Sequence, residues 1–391
     1  MRNVARWITL IGFLSVVFGF AVLFLVLPDR SFSTEENRAL ASLPRLTRKT
    51  LVSGDYSSKV NDYFSDQFPA RDFLVGQKGI AELLLGKGEN NGILLGRDGQ
   101  LAKRLFSMRC HTGEVCESMD AVDEVYVARA MEAVNRLSDH LDIPFSALFA
   151  GRNIDVVASS LSYPSENSDL LLHAVQKNLS PSVDFIDTVS ILRNRHESGE
   201  SVYYKTDHHW TTRGAYYAYC EIMRAFGMED ELIPEKFFTI EAVSAPFYGT
   251  LWSAGGMKHV SPDHIEIWHG ADDDQYAVVA DGKPLDGFYQ AEHLGKKDHY
   301  SVFLDGVHDV VTVTKKNTED RPVLLMVKDS YANSVAPFLA RHFDLVLLNL
   351  SSARSDFTNV STLAKEWNAD RVLLLYGLEN VITADKLIRL R

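Results

Sequence analysis

Apolar and polar positions follow three rhythms along the chain, and each predicts a different kind of element. From Trp7 to Leu27 there is no alternation: "WITLIGFLSVVFGFAVLFLVL" runs for 21 residues without a charge. At about 1.5 Å rise per residue, such a helix spans a bilayer core of roughly 30 Å. Arg2 and Arg6 precede it, and no A-x-A-like cleavage site follows. It therefore reads as an uncleaved anchor rather than a secretory signal, whose apolar core is usually about 7–15 residues. The positive flank places the N-terminus in the cytoplasm and everything after Pro28 outside. Residues 28–53 are polar with scattered apolar positions and read as a membrane-proximal linker. From Gly54 to Gly86, apolar and aromatic residues recur at helical spacing on both sides of Pro69, which predicts two helices hinged there. "NNGILLGRDGQL" (Asn90–Leu101) has strand-and-turn character, with glycine at the turn positions.

The third rhythm begins near Met119. Helical periodicity over Met119–His140, Ser168–Leu179, Thr211–Phe226, Ala332–His342 and Asp356–Asn368 is interleaved with short apolar runs. These runs are Ile143–Phe149, Val183–Asp187, Pro322–Val327, Leu345–Leu350 and Arg371–Tyr376. Unbroken apolar strands between helices predict an α/β fold whose mostly parallel sheet is covered on both faces. Residues 228–320 interrupt the rhythm with "HIEIW", "YAVVA", "YSVFL" and "VVTVT", which predict an inserted antiparallel β element. The expected organisation is an anchor over 1–27, a linker over 28–53 and one extracytoplasmic domain over 54–391.

Composition changes this picture little. With 391 residues, 46% hydrophobic and 24% charged, the chain can bury a large core. A formal net charge of -12 repels a polyanion on average, so nucleic acid is not an expected partner. Cys110 and Cys116 flank "HTGEV" and either pair or stay free thiols; their spacing suits no common zinc pattern. Cys220, in an aromatic-rich helical stretch, reads as a buried thiol.

Candidate chemistry lies at two corners. In "YYKTDHHWTTRG" (Tyr203–Gly214), Asp207 and His209 are two apart, and in extended or turn backbone they project to the same side. Asp207 can then fix one ring nitrogen of His209 and free the other to act as a base. His208 would point the other way as a structural residue. Trp210 would pack beneath the turn, and Thr211 or Thr212 would cap the next helix. In "LLMVKDSYANS" (Leu324–Ser334), Ser330 stands at the carboxyl end of a strand and at a predicted helix start. The Tyr331 N–H and the Asn333 side chain are candidate oxyanion donors there. The plainer reading is that Asp329 or Ser330 merely caps that helix. A metal is a further alternative for Asp207, His208 and His209, with His259, Asp263, His264 and the acids of Ala271–Asp274 as the remaining ligand types. Adjacent histidines rarely reach one ion, so neither a metal nor another cofactor is expected.

The two corners, "TDHHW" and "KDSYANS", together with "ENRALASLP", "YFSDQFPARD", "GILLGRDGQL" and "YGTLWSAGG", carry a resemblance. The chain resembles the DHHW family of bacterial membrane-anchored exoproteins, which look related to alginate O-acetyltransferases of the AlgJ and AlgX type and to SGNH hydrolases. That resemblance implies an SGNH hydrolase-like domain using Ser330 as nucleophile, His209 as base and Asp207 as orienting carboxylate. It implies acetyl transfer to, or hydrolysis from, an exopolysaccharide or cell-envelope glycan, with a membrane-bound acyltransferase as partner. Two features depart from the pattern: Lys328 stands where glycine is usual, and only Arg152 and Asn153 of "GRNID" substitute for a G-x-N-D block. The alternative is a non-catalytic polysaccharide-binding or assembly protein of the same fold. Its candidate sugar-stacking aromatics are Tyr248, Trp252, Trp268, Tyr276 and Tyr289, though packing is the plainer role for most.

Overall fold

The computed structural model describes residues 2–33, 35, 38–104, 124–161, 169–243, 246–350, 359–382 and 387–390. Cys110 and Cys116 lie outside the described residues. Contacts divide the chain into two compact units: Met1–Lys87 with Gly256–His259, and Gly88–Gly255 with Val260–Arg391.

In the first unit, helix α1 (Arg2–Val26) is followed by α2 (Asp55–Asp66) and α3 (Arg71–Leu84). Its Val4–Val26 segment has mean hydropathy 2.6 and is long and apolar enough to cross a membrane. Pro69 and the left-handed Ala70 (φ 56°) separate α2 from α3, as the helical spacing around Pro69 predicts. The polar stretch before α2 is tied to both helices. Arg38 grips Asp66 at 2.8 and 2.5 Å, the Ala41 N–H donates to the same carboxylate at 2.8 Å, and Arg30 meets Asp72 at 2.6 Å.

The second unit is built on an eight-stranded sheet. Its strands are β1 (Phe145–Ala150), β2 (Asp184–Ile186), β3 (Tyr276–Ala280), β4 (Lys283–Leu285), β5 (Val310–Lys315), β6 (Val323–Lys328), β7 (Asp344–Asn349) and β8 (Arg371–Gly377). They lie in the order β4-β3-β5-β7-β6-β8-β1-β2. From β7 to β2 every pairing is parallel; β5, β3 and β4 extend the β7 edge antiparallel. β6 and β8 are almost wholly buried, which is why their sequences are unbroken apolar runs. Helix α4 (Glu124–His140) buries Val127, Ala130, Met131, Val134 and Leu137, one stripe at three- and four-residue spacing.

The inserted element is only partly a separate structure. "HIEIW" contributes to Glu266–Gly270, which pairs with Phe238–Ala242 in a small antiparallel sheet. "YAVVA" and "VVTVT" instead become β3 and β5 of the main sheet. Val311 and Val313 of β5 are fully buried beside β7, so the period-two pattern serves the central core rather than a free-standing hairpin. "YSVFL" forms no strand; His299–Val302 is a 3₁₀ turn.

Candidate active site

The Asp207 corner is a closed turn. Tyr203 and Trp210 form an isolated antiparallel bridge, the Tyr204 N–H donates to His209 O at 3.2 Å, and the Thr211 N–H donates to Val202 O at 2.9 Å. Thr211 then caps helix α5 (Thr212–Ala225), accepting from the Gly214 N–H. Asp263 holds the turn from outside. Its carboxylate accepts from the Lys205 and Thr206 N–H groups at 2.9 and 2.7 Å and from the Thr206 hydroxyl at 2.6 Å. That use, and the pairing of Asp272 and Asp273 with Arg341, account for acids considered above as metal ligands.

Asp207 is buried and held on both oxygens. Oδ1 meets His209 Nδ1 at 2.6 Å, and Oδ2 accepts from the Thr250 N–H and hydroxyl at 2.8 and 3.0 Å. Burial opposes its charge, but the neighbouring His208 and His209 and these hydrogen bonds outweigh it. They hold its pKa well below the usual carboxylate range. The ionised carboxylate can only accept, so His209 Nδ1 carries a proton and donates it. Nε2 is then the bare nitrogen, and it accepts from the Ser330 hydroxyl at 2.7 Å. Gly249 lets the Thr250 segment approach: a Cβ there would stand 2.3 Å from the Asp207 Cβ.

Ser330 arrives on the other side from the carboxyl end of β6. The predicted helix Ala332–His342 is instead a 3₁₀ turn, Ser330–Ser334, followed by the four-residue helix α6 (Ala336–Leu339). A helix that short carries little dipole. The Tyr331 N–H is already donated to Asp329 Oδ1 at 3.0 Å, and the Asn333 amide spans Lys328 Nζ and Gly306 O at 2.7 and 2.8 Å. The Tyr331 N–H is therefore already used, whereas Asn333 Nδ2 carries a second N–H beyond the one given to Gly306 O. Among the described residues, no acceptor takes the Ser330 N–H. Asp329 accepts at its second oxygen from the Gly377 N–H and Asn380 Nδ2, tying β6 to the end of β8. Lys328 is 1% exposed and its amine goes to Asn333. Arg152 is spent on Asp155, and Asn153 on Leu101 O.

Two residues unsuspected from the pattern, Thr250 and Tyr300, complete the corner. Thr250 anchors Asp207. Tyr300 stacks flat on His209, with ring centroids 3.8 Å apart and planes 7° apart, and its hydroxyl reaches Ser334 Oγ at 3.0 Å. The Trp210 indole N–H, donated to Ser334 Oγ at 2.9 Å, locks the two turns together, so this tryptophan braces the Ser330 turn as well as its own. His208 does not point away. In a bend rather than a strand the side chains do not alternate, and its ring lies 3.8 Å from that of His209. Of the proposed sugar-stacking aromatics, Trp268 and Tyr276 are core residues, while Tyr248 and Trp252 are half-exposed and pack on each other at 4.6 Å.

Residues 157–266, which carry the Asp207 turn and Thr250, match the family described as "SGNH hydrolase-like domain, acetyltransferase AlgX". The fold is SGNH hydrolase-like. Bacillus cereus PatB1 superposes with TM-score 0.61 at 20% identity, over 75% of this chain and 98% of that one. A second structure of PatB1, with a sulfonyl adduct, gives 0.60 at 20% identity over 76% and 100%. A DHHW family protein from Eubacterium siraeum gives 0.58 at 17% identity, over 77% of this chain and 95% of that one. No curated protein matches the sequence. In this SGNH-like fold, β6 and the Asp207 turn bring together residues 121 positions apart in the chain.

Proposed function

We propose that this protein is an O-acetyltransferase or acetylesterase acting on an extracytoplasmic glycan through an acetyl-serine. The observation that carries the reading is the continuous path Asp207–His209–Ser330, with contacts of 2.6 and 2.7 Å, at the carboxyl end of a central strand. The match of residues 157–266 to an acetyltransferase family supports the acyl group as acetyl.

In the first half-reaction, Ser330 Oγ attacks the acetyl carbonyl carbon of a donor while His209 Nε2 takes the hydroxyl proton. The tetrahedral intermediate collapses, the bond to the donor breaks, and His209 returns the proton to the departing group. In the second, a sugar hydroxyl or water attacks the acetyl-serine and gives its proton to His209, which passes it to Ser330 Oγ as that bond breaks. Asp207 holds the Nδ1–H tautomer throughout and stabilises the imidazolium. The Ser330 N–H, with no acceptor of its own among the described residues, is a donor for the oxyanion. The apolar N-terminal helix would anchor this domain outside the membrane, beside a membrane-bound acyl donor.

The test is the intact mass of the full-length protein in detergent after incubation with p-nitrophenyl acetate. A single acetyl adduct that maps to Ser330, and is absent from Ser330→Ala and His209→Ala, is expected. Equal labelling of all three proteins would refute the assignment.

A further inference from the structure

We propose that His208 binds the acceptor, and that the acceptor is a vicinal diol: one hydroxyl gives its proton to His209 while its neighbour donates a hydrogen bond to His208 Nε2. The proposal rests on the acetyl-serine reading above.

It follows from counting protons. Thr250 Oγ1 lies 3.0 Å from Asp207 Oδ2 and 2.7 Å from His208 Nδ1. A hydroxyl has one proton to donate, and the ionised Asp207 can only accept. The Thr250 proton therefore goes to Asp207, and His208 Nδ1 must itself be protonated to donate to Thr250. In a neutral imidazole this leaves Nε2 bare. His208 is neutral at ordinary pH, since burial and the neighbouring His209 lower its pKa to about 4. Among the described residues, nothing bonds that Nε2.

Its placement matches the need. Both imidazoles turn Nδ1 to the same oxygen, Asp207 Oδ1, at 3.4 Å for His208 and 2.6 Å for His209. Their rings lie side by side, with centroids 3.8 Å apart and planes 38° apart. In each ring Nε2 is the nitrogen that does not face Asp207, and the one on His209 meets Ser330. The His208 side chain is 29% exposed against 7% for His209, so of the two rings it is the one an incoming molecule can reach. An isolated alcohol has one proton to donate and serves only the first nitrogen. Two adjacent hydroxyls of a pyranose ring are spaced to fill both. His208 takes no proton in the reaction; it orients the sugar through the hydroxyl that does not react.

The experiment is product partitioning by the full-length protein in detergent, with p-nitrophenyl acetate as acetyl donor. The acceptors are cyclohexane-1,2-diol and its isomer cyclohexane-1,4-diol. The variants are His208→Asn, whose amide N–H can keep the bond to Thr250 but which has no counterpart of Nε2, and His208→Phe. The wild type should acetylate the 1,2-diol about fivefold faster than the 1,4-diol, the worth of one hydrogen bond. That preference should fall to about one in both variants, or in His208→Asn alone if His208→Phe does not fold. Equal use of the two diols by the wild type, hydrolysis alone, or a preference that survives in His208→Asn would overturn the inference while leaving the acetyl-serine intact. Failure of the wild type to form an acetyl-enzyme would remove the proposed function, and this inference with it.

Discussion

Two of the histidine–aspartate constellations among the described residues differ in every respect except residue type. In the first, Asp207 meets Nδ1 of His209, both side chains are at most 7% exposed, and Nε2 meets a serine hydroxyl. In the second, Asp305 lies between two imidazoles, 2.5 Å from His293 Nε2 and 2.9 Å from His308 Nε2, and Asp281 takes His308 Nδ1 at 3.0 Å. Here Asp305 is 30% exposed and Asp281 43%. Every ring nitrogen of His308 is spent on a carboxylate, and among the described residues no hydroxyl is bonded to a ring nitrogen of either histidine. The second cluster fastens a loop in which Leu304, Asp305 and Gly306 all have positive φ, a costly conformation for a buried leucine. An Asp–His contact is thus not yet a site. Burial of the carboxylate, the choice of ring nitrogen and the group on the far nitrogen distinguish the two.

The sharpest break of this comparison is mutational. Ser330→Ala and His209→Ala should each lower p-nitrophenyl acetate turnover by about 10⁴-fold or more. His293→Ala and His308→Ala should stay within about threefold once corrected for folded fraction. A loss at His308 equal to that at His209 would mean that the second cluster belongs to the chemistry. Asp207→Asn should follow with a loss of about 10³- to 10⁴-fold, because an amide can donate and so favours the wrong His209 tautomer.

Asp207 also makes a prediction about pH. Its folded pKa is depressed, so its contribution to stability is fully present above the unfolded carboxylate value of about 4. It is lost as pH falls through the folded value. The stability gap between wild type and Asp207→Asn, measured by denaturant unfolding, should therefore narrow from pH 6 to pH 3. A constant gap would place the carboxylate in an ordinary environment.

Much of this was legible in the sequence, for identifiable reasons. β1, β6, β7 and β8 are buried on both faces, so each is written as an apolar run. Asp207 and His209 are local neighbours, and Ser330 follows a strand, so three residues named the corner. What stayed hidden was non-local. Tyr300 and Thr250 reach the site from segments whose own pattern is irregular, and no periodicity marks a stacking ring or an anchoring hydroxyl. The helix expected after Ser330 is a 3₁₀ turn, in which the Tyr331 N–H is given to Asp329 and one Asn333 N–H to Gly306 O. His208 was misplaced because strand alternation was applied to a bend. That β3 and β5 of the antiparallel element join the main sheet was hidden, because an antiparallel edge on a parallel sheet has the same period-two signature as a separate hairpin.

Thr250→Val removes one of the two bonds to Asp207 Oδ2 and leaves the backbone N–H in place. Turnover should fall about tenfold, the worth of one hydrogen bond to a charged group. No change would mean that the N–H alone fixes the carboxylate. A loss as large as that of Asp207→Asn would mean that the hydroxyl sets its orientation.

The smallest effect on turnover, and the cleanest contrast with Asp207, is expected at Lys328. Both are buried charges two residues from His209 or Ser330, but Asp207 has several donors, whereas among the described residues the Lys328 amine has a single hydrogen bond, to Asn333. Burial therefore dominates and lowers the Lys328 pKa to about 8, with Asp329 and Asp281 opposing. For a lysine this reverses the pH argument. Between about pH 8 and 10.5 the unfolded chain keeps a proton that the folded chain has released, so stability rises with pH across that window. Below it, the folded protein carries an imperfectly solvated charge. Lys328→Met, of similar length and without the charge, should leave turnover within a few-fold. Relative to it, the wild type should gain up to about 3 kcal/mol between pH 7 and pH 10 in denaturant unfolding. A gap that stays flat would mean that Asn333 solvates the ammonium as fully as His209 and Thr250 solvate Asp207. The number of partners, not burial, would then be the wrong measure of how the two charges differ.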